Sequence, residues 1–335
     1  MRAEIHASPA EPKRRGPAAD DPPERMSDPA PTMGGMRAAD TLPTLPAPDT
    51  VSGRLLPWFD AHNRTELPWR RPGTTAWGVL VSEVMSQQTQ VARAAPVWES
   101  WMARWPTPAD LAAAPTADVL REWGRMGYPR RALRLQECAR IVATEHGGVV
   151  PADPVELVKL PGIGVYTAAA VAVFHYGRRH AVVDTNVRRV VARLGGQSDA
   201  GTATTRADLT AAEALLPDDA PTAARVSVAL MELGALVCKA RAPECGACPV
   251  SDVCGFSGQE VPAGPSRKRQ KYKGTNRHVR GEVMALLREA EGPVERARID
   301  AVWPDRRMLD EAVAQLITEG LIGTDESGRF ELPSR

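Results

Sequence analysis

From Val51 to Phe256 the apolar side chains return at i, i+3 and i+4, stretch after stretch, and the alternation that a half-buried strand requires is nearly absent. A chain with that period buries its apolar stripes by laying helix on helix, which predicts an all-α core of about ten helices. "WGVLVSEVMSQQTQVARAAPVWESWMARW", "RRALRLQECARIVATEH" and "RVSVALMELGALVC" carry the pattern most clearly, and Pro106, Gly127, Pro151, Pro161 and Gly177 punctuate it.

The flanks differ from this core. Residues 1–50 hold ten of the thirty prolines and no aromatic residue, a composition that cannot offset ordering entropy and reads as disordered. Residues 257–274 read as a basic linker, and "SRKRQKYKGTNRHVR" (266–280) carries seven Lys or Arg with no acid. Beyond it, "RGEVMALLREAEGPV" and "LDEAVAQLITEGLI" read as helices and "GTDESGRFELP" as a short hairpin, so residues 275–335 suggest a small winged-helix-like module. Over all 335 residues the net charge is only +1, so affinity for a polyanion has to come from local patches. No apolar run reaches the roughly 18 residues of a membrane span, and no secretory leader is visible, which predicts a cytosolic protein with no membrane contact.

Four of the five cysteines, Cys238, Cys245, Cys248 and Cys254, lie within seventeen residues as C-x6-C-x2-C-x5-C. Four thiolates in one compact loop suit a tetrahedral metal such as zinc or an iron–sulfur cube, and spacing leaves both open. Upstream, "LPGIG" is a turn whose entry Pro161 fixes, while Gly162 and Gly164 are expected to supply unusual backbone angles; the N–H groups there and at the start of the next helix make a site for an anion. "VVDTNVRRV" sets Asp184 at the start of a helix, as cap or as functional carboxylate, with Arg188 and Arg189 behind it, available to phosphates or to solvent. In "WGVLVSEVMSQQTQV" the carboxyl of Glu83 stands in an apolar stretch, a costly place unless it is paired or protonated. Gln87, at i+4, is expected on the same face.

The cysteine spacing, following "MELGALVC", resembles the 4Fe–4S loop of the endonuclease III and MutY group of DNA glycosylases. The order of hairpin, helix, aspartate and four-cysteine loop is similar to that of the helix-hairpin-helix glycosylases. "SEVMSQQTQV", with "LPWR" (67–70) upstream, closely resembles the MutY signature "SEVMLQQTQV", with Ser86 in place of the usual leucine. "RMGYPRRALRL" resembles "GLGYYARARNL", with Pro129 in place of the second tyrosine. Endonuclease III lacks the glutamate and has a lysine in the hairpin motif, where this chain has Tyr166.

The resemblance covers about residues 51–256 and implies a two-lobed helix-hairpin-helix core. A six-helix lobe would span about 80–183, and a second lobe, from 51–79 and 184–256, would hold a 4Fe–4S cluster on the four cysteines, with zinc as the alternative. It implies hydrolysis of the bond between adenine and its sugar in duplex DNA, where adenine faces 8-oxoguanine or guanine. Glu83 would protonate the base, Asp184 would stabilise the sugar cation, and Asn186 and Tyr166 would hold Asp184 and the sugar. Trp69 and Arg70 would form the adenine pocket, with Val228 where relatives tend to carry a polar side chain. Gln87, Gln88, Thr89, Met126 and Tyr128 would fill the gap left by the base, and Pro161, Gly162, Gly164, Lys239 and Arg241 would meet the DNA backbone. The implied enzyme is a monomer of the bacterial cytoplasm, at the nucleoid. MutY proteins usually add a Nudix-like domain that reads 8-oxoguanine; residues 275–335 are too short for it, and the winged-helix-like module stands in its place. Two other readings are an endonuclease III-like glycosylase/lyase acting on oxidised pyrimidines, and a non-catalytic iron–sulfur DNA-binding protein.

Overall fold

The computed structural model describes residues 44–198, 203–262 and 272–334. Most of the segment expected to be disordered, and Arg267, Lys268, Arg269 and Lys271 of the basic stretch, lie outside the described residues.

Helix α1 (Pro48–His62) opens with proline in its first turn, where the missing N–H has no partner to lose. After a 3-10 turn at Pro68–Arg70, α2 (Ala76–Ser86) starts on Thr75, whose hydroxyl accepts from Gly78 N at 3.1 Å. The long run read from Trp77 to Trp105 is two helices, because the chain turns at Gln87–Gln90 with Gln88 at φ 54° before α3 (Val91–Arg104) begins. Helices α4 (Pro108–Ala113), α5 (Thr116–Trp123), α6 (Arg130–Glu145), α7 (Pro154–Leu157) and α8 (Val165–Phe174) complete a first lobe around a shared apolar core. Trp101 and Trp123 meet edge to face there, with centroids 5.5 Å apart, among Leu80, Met85, Leu111 and Leu135.

Helices α9 (Thr185–Leu194), α10 (Arg206–Glu213) and α11 (Ala220–Leu236) build a second core, and α1 packs back onto α11 to close it. The lobe is therefore made from both ends of the core segment, and the chain passes between the lobes twice, at residues 63–75 and 175–184. The four-cysteine loop follows α11 directly.

The C-terminal part contains α12 (Asn276–Glu289), α13 (Arg296–Asp300), α14 (Arg306–Thr318) and the expected hairpin. Strand β1 (Gly323–Thr324) pairs antiparallel with β2 (Phe330–Glu331), and Val294 bridges to Phe330 on the other side. Helix α12 packs on α5 as well as α14, so Val279, Val283 and Leu287 share one buried cluster with the first lobe. Among the described residues no helix is long and apolar enough to cross a membrane.

Candidate functional site

Between the two lobes lies a cleft of ≈ 1620 Å³, counting space open to solvent. Glu83 reaches it from α2, Tyr166 from the first turn of α8, Asp184 and Asn186 from the start of α9, and Trp69 and Arg70 from the 3-10 turn. Thr89 also lines it, as do Ser86 and Val228, two positions at which the sequence departs from the resemblance.

Burial pushes the Glu83 carboxyl up to about 7, and the charge of Asp184 adds to this; the hydrogen bond from Tyr166 and the Arg70 guanidinium pull the other way. At neutral pH such a group is about half protonated and can both give and take a proton. Burial, then the charges of Glu83 and Asp184, pushes the Tyr166 phenol well above its ordinary value, so it acts as a donor. Asp184 is cap and cleft carboxylate at once. Its Oδ1 accepts from Asn186 N at 2.9 Å and Val187 N at 2.7 Å, and its Oδ2 accepts from Asn186 Nδ2 at 2.8 Å. Asn186 is held in turn by α11, where a Cβ on Gly234 would fall 2.7 Å from the Asn186 Cβ. Arg189, read as available to phosphates or to solvent, donates to Asn186 Oδ1 at 2.9 Å and to the Gly234 and Cys238 carbonyls at 2.8 Å each.

Glu232, in α11, was not singled out by sequence. It is fully buried and receives Arg64 through two bonds of 2.8 and 2.9 Å, together with Arg70 Nη2. Burial pushes its carboxyl up, but the Arg64 hydrogen bond and both guanidinium charges outweigh this and hold it below the usual carboxylate range. Glu232 thereby fixes Arg70 in the cleft wall, while Arg70 Nη1 is buried with no hydrogen-bond partner among the described residues.

Two turns expected to fill the gap lie side by side, joined by Arg131, also missed by sequence. Its Nη1 donates to the Val84, Met85 and Gln87 carbonyls at 2.8, 3.2 and 2.7 Å, and its Nη2 to Thr89 Oγ1 at 3.1 Å and the Gly127 carbonyl at 3.1 Å. Because α2 ends at Ser86, Gln87 does not continue the face of Glu83; its amide donates to Thr167 Oγ1 at 3.3 Å. Gln88 is exposed at the turn. Met126 is corrected: at 3 % exposure its side chain belongs to the first core and is not presented for insertion. Tyr128 is 50 % exposed.

In the hairpin between α7 and α8 only Gly162 is left-handed, at φ 78°, and a Cβ there would also press within 3.0 Å of Arg134 Cβ. Gly164 is ordinary extended backbone at φ −93°, so the expectation of unusual angles fails for it; a Cβ there would meet nothing within 4 Å. It caps α8 without a side chain, which leaves the first N–H groups of the helix open to an anion. Lys239 and Arg241 are exposed on the cysteine loop, with Lys239 paired to Glu244.

Cys238, Cys245, Cys248 and Cys254 line one cavity of ≈ 300 Å³, counting open space. Burial, and beyond it the other three thiols, pushes the Cys248 thiol up to about 11. No three Cys, His, Asp or Glu among the described residues are gathered for a single ion. Thiols set apart around a shared cavity fit the corners of a 4Fe–4S cube better than the tight tetrahedron of zinc. Arg193, buried beneath the loop, donates to Cys238 Sγ at 3.3 Å and to the Lys239 and Ala240 carbonyls at 2.8 and 3.0 Å.

Residues 81–213 match the HhH-GPD superfamily base excision DNA repair proteins, and residues 238–254 match the iron-sulfur binding domain of endonuclease III. An adenine DNA glycosylase of Mycolicibacterium smegmatis is 52% identical over 281 residues, 83% of this chain and 94% of the relative. Among solved structures, a thermostable thymine-DNA glycosylase aligns with a TM-score of 0.57 at 26% identity, over 63% of this chain and 96% of that one. A trapped endonuclease III–DNA covalent intermediate aligns with a TM-score of 0.53 at 26% identity, over 62% and 94%.

Proposed function

The chain belongs to the adenine DNA glycosylase family, and we propose that it removes adenine facing 8-oxoguanine or guanine in duplex DNA, with Glu83 as acid and Asp184 at the sugar. The observation that carries this reading is a carboxyl raised to about 7 in the same cleft as a second, firmly held carboxylate. Tyr166 stands at the hairpin position, and no lysine lines the cleft among the described residues, which favours hydrolysis over a Schiff base.

The bond to be broken is inaccessible inside a stacked duplex, so the base must first be turned out into the cleft. Trp69 and Arg70 flank it there, with Arg70 Nη1 available as a donor. Glu83 gives its proton to adenine N7, the C1′–N9 electrons leave with the base, and positive charge grows at C1′ beside the Asp184 carboxylate. Water adds at C1′ and yields a proton to the Glu83 carboxylate, restoring the acid. Two carboxyls whose surroundings set them to different tasks are the logic of glycoside hydrolysis. The 4Fe–4S cluster, when bound, cross-links the loop of residues 238–254 that carries Lys239 and Arg241 toward the DNA backbone. The enzyme acts as a single chain, in the bacterial cytoplasm at the nucleoid.

Single-turnover release of adenine opposite 8-oxoguanine tests the assignment. Glu83→Gln is expected to lose about 10²- to 10⁴-fold in rate, and borohydride is expected to trap no protein–DNA adduct. A Glu83→Gln chain of undiminished rate, or a strong adduct, would overturn it.

A further inference from the structure

Tyr128 has φ 48°, an unusual angle for a residue with a side chain, and follows Gly127 at φ 78°. Such backbone persists only where the surroundings fix it. One fixture is Arg131, with its Cζ 5.9 Å from the Tyr128 ring centroid while its Nη2 holds the Gly127 carbonyl. The second comes from the C-terminal module: Arg277, on the first turn of α12, places its Cζ 5.9 Å from the same ring, with Nη1 3.4 Å from the Tyr128 hydroxyl.

Arg277 is itself held. Its Cζ lies 5.6 Å from the Tyr272 ring centroid, Tyr272 stands 4.9 Å from the His278 ring, and His278 stands 4.9 Å edge-on to Trp303. His278 Nδ1 accepts from Gly274 N at 3.2 Å, which fixes the ring's orientation. Tyr272 sits against α12 so closely that a Cβ on Gly281 would fall 2.8 Å from its hydroxyl. A continuous file of rings and one guanidinium therefore runs from the module's interior to the exposed tyrosine of the first lobe.

We propose that Arg277 is a specificity-determining positioning residue: through it the C-terminal module orients Tyr128 for insertion at the mismatch. The inference rests on the reading of Tyr128 as an inserting side chain. It assigns the module a task distinct from gripping phosphate, since Arg277 spends its guanidinium on two rings and a hydroxyl. A guanidinium over an aromatic face at an exposed site contributes enough to change an equilibrium by about two- to five-fold.

The test uses the full chain and four proteins: wild type, Arg277→Ala, Tyr128→Ala and the double variant. Affinity is measured for a duplex with adenine opposite 8-oxoguanine and for a fully paired duplex of the same length, over a range of salt. Arg277 is exposed, so folding is expected to survive its loss, and equal melting temperatures check this. The expected result is an about two- to five-fold fall in the mismatch-to-paired affinity ratio for Arg277→Ala, an unchanged salt slope, and no further fall in the Tyr128→Ala background. Uniform weakening on both duplexes with a salt slope smaller by about one is the signature of a phosphate contact and overturns the proposal. An unchanged ratio, or the same fall with and without Tyr128, overturns it as well. A wild-type ratio of one refutes the substrate reading itself, and is seen before any variant is compared.

Discussion

Replacing Glu83 by glutamine is expected to make the protein more stable while removing its activity, by an amount that depends on pH in a defined way. Burial is the leading cause of the rise of this carboxyl from 4.5 to about 7. Below the lower value the group is protonated in folded and unfolded chains alike, and it adds no cost. As pH rises from there through about 7, the unfolded chain releases the proton freely and the folded chain does not, so stability is lost across that window. The full difference, at about 1.4 kcal/mol per unit, is about 3 kcal/mol. Glutamine keeps the shape and never ionises, so Glu83→Gln should match wild type near about pH 4.5 and exceed it by up to about 3 kcal/mol at about pH 8. At roughly 2–4 °C per kcal/mol, that is about 6–12 °C in melting temperature. Melting both proteins at matched scan rates across this range is the assay. A difference that is flat with pH, or a variant less stable than wild type at the alkaline end, refutes the claim that burial of the charged form strains this site.

Asp184→Asn should leave the α9 cap in place and abolish base release, whereas Asp184→Ala should also cost about 1 kcal/mol of stability, measured by denaturant unfolding. Glu232→Ala strands the Arg64 and Arg70 guanidiniums in the protein and is expected to cost about 3–5 kcal/mol; the same assay reads it, and a cost near zero would mean both arginines find water. Arg131→Ala releases two turns together, with an expected loss of about 2–4 kcal/mol and weaker binding to the mismatched duplex. Cys245→Ser should bleach the visible absorption of the cluster and weaken duplex binding, while the circular dichroism of the helical core is largely retained; unchanged absorption would remove Cys245 from the ligand set.

What could be read in advance follows from how far each residue's meaning lies from its own position. Glu83 announces itself because a carboxyl among Val79, Leu80, Val81, Val84 and Met85 is costly in any helix. Asp184 and the cysteines carry their sense in short spacings. Glu232 stands in an equally apolar helix, but its partners are 168 and 162 residues away, and no local pattern reports them. Arg131, inside "PRRALRL", looks like ordinary solvated charge, and only the fold brings two turns within its reach. The break after Ser86 was illegible for the same reason: it has no Gly or Pro, and it is held from outside by that arginine. Met126 failed in the opposite direction, since a motif position says nothing of which way its side chain turns.

Glu83 and Asp184 stand on helices that do not share a core. Glu83 rides on α2, whose apolar face is buried in the first lobe, and Asp184 opens α9, which belongs to the second. Their separation is set by how two independently packed bodies seat against each other, so the enzyme's rate is a gauge of that seating. Conditions that loosen the seam without melting either body, such as mild denaturant, should therefore silence the enzyme while its helices and its cluster remain intact.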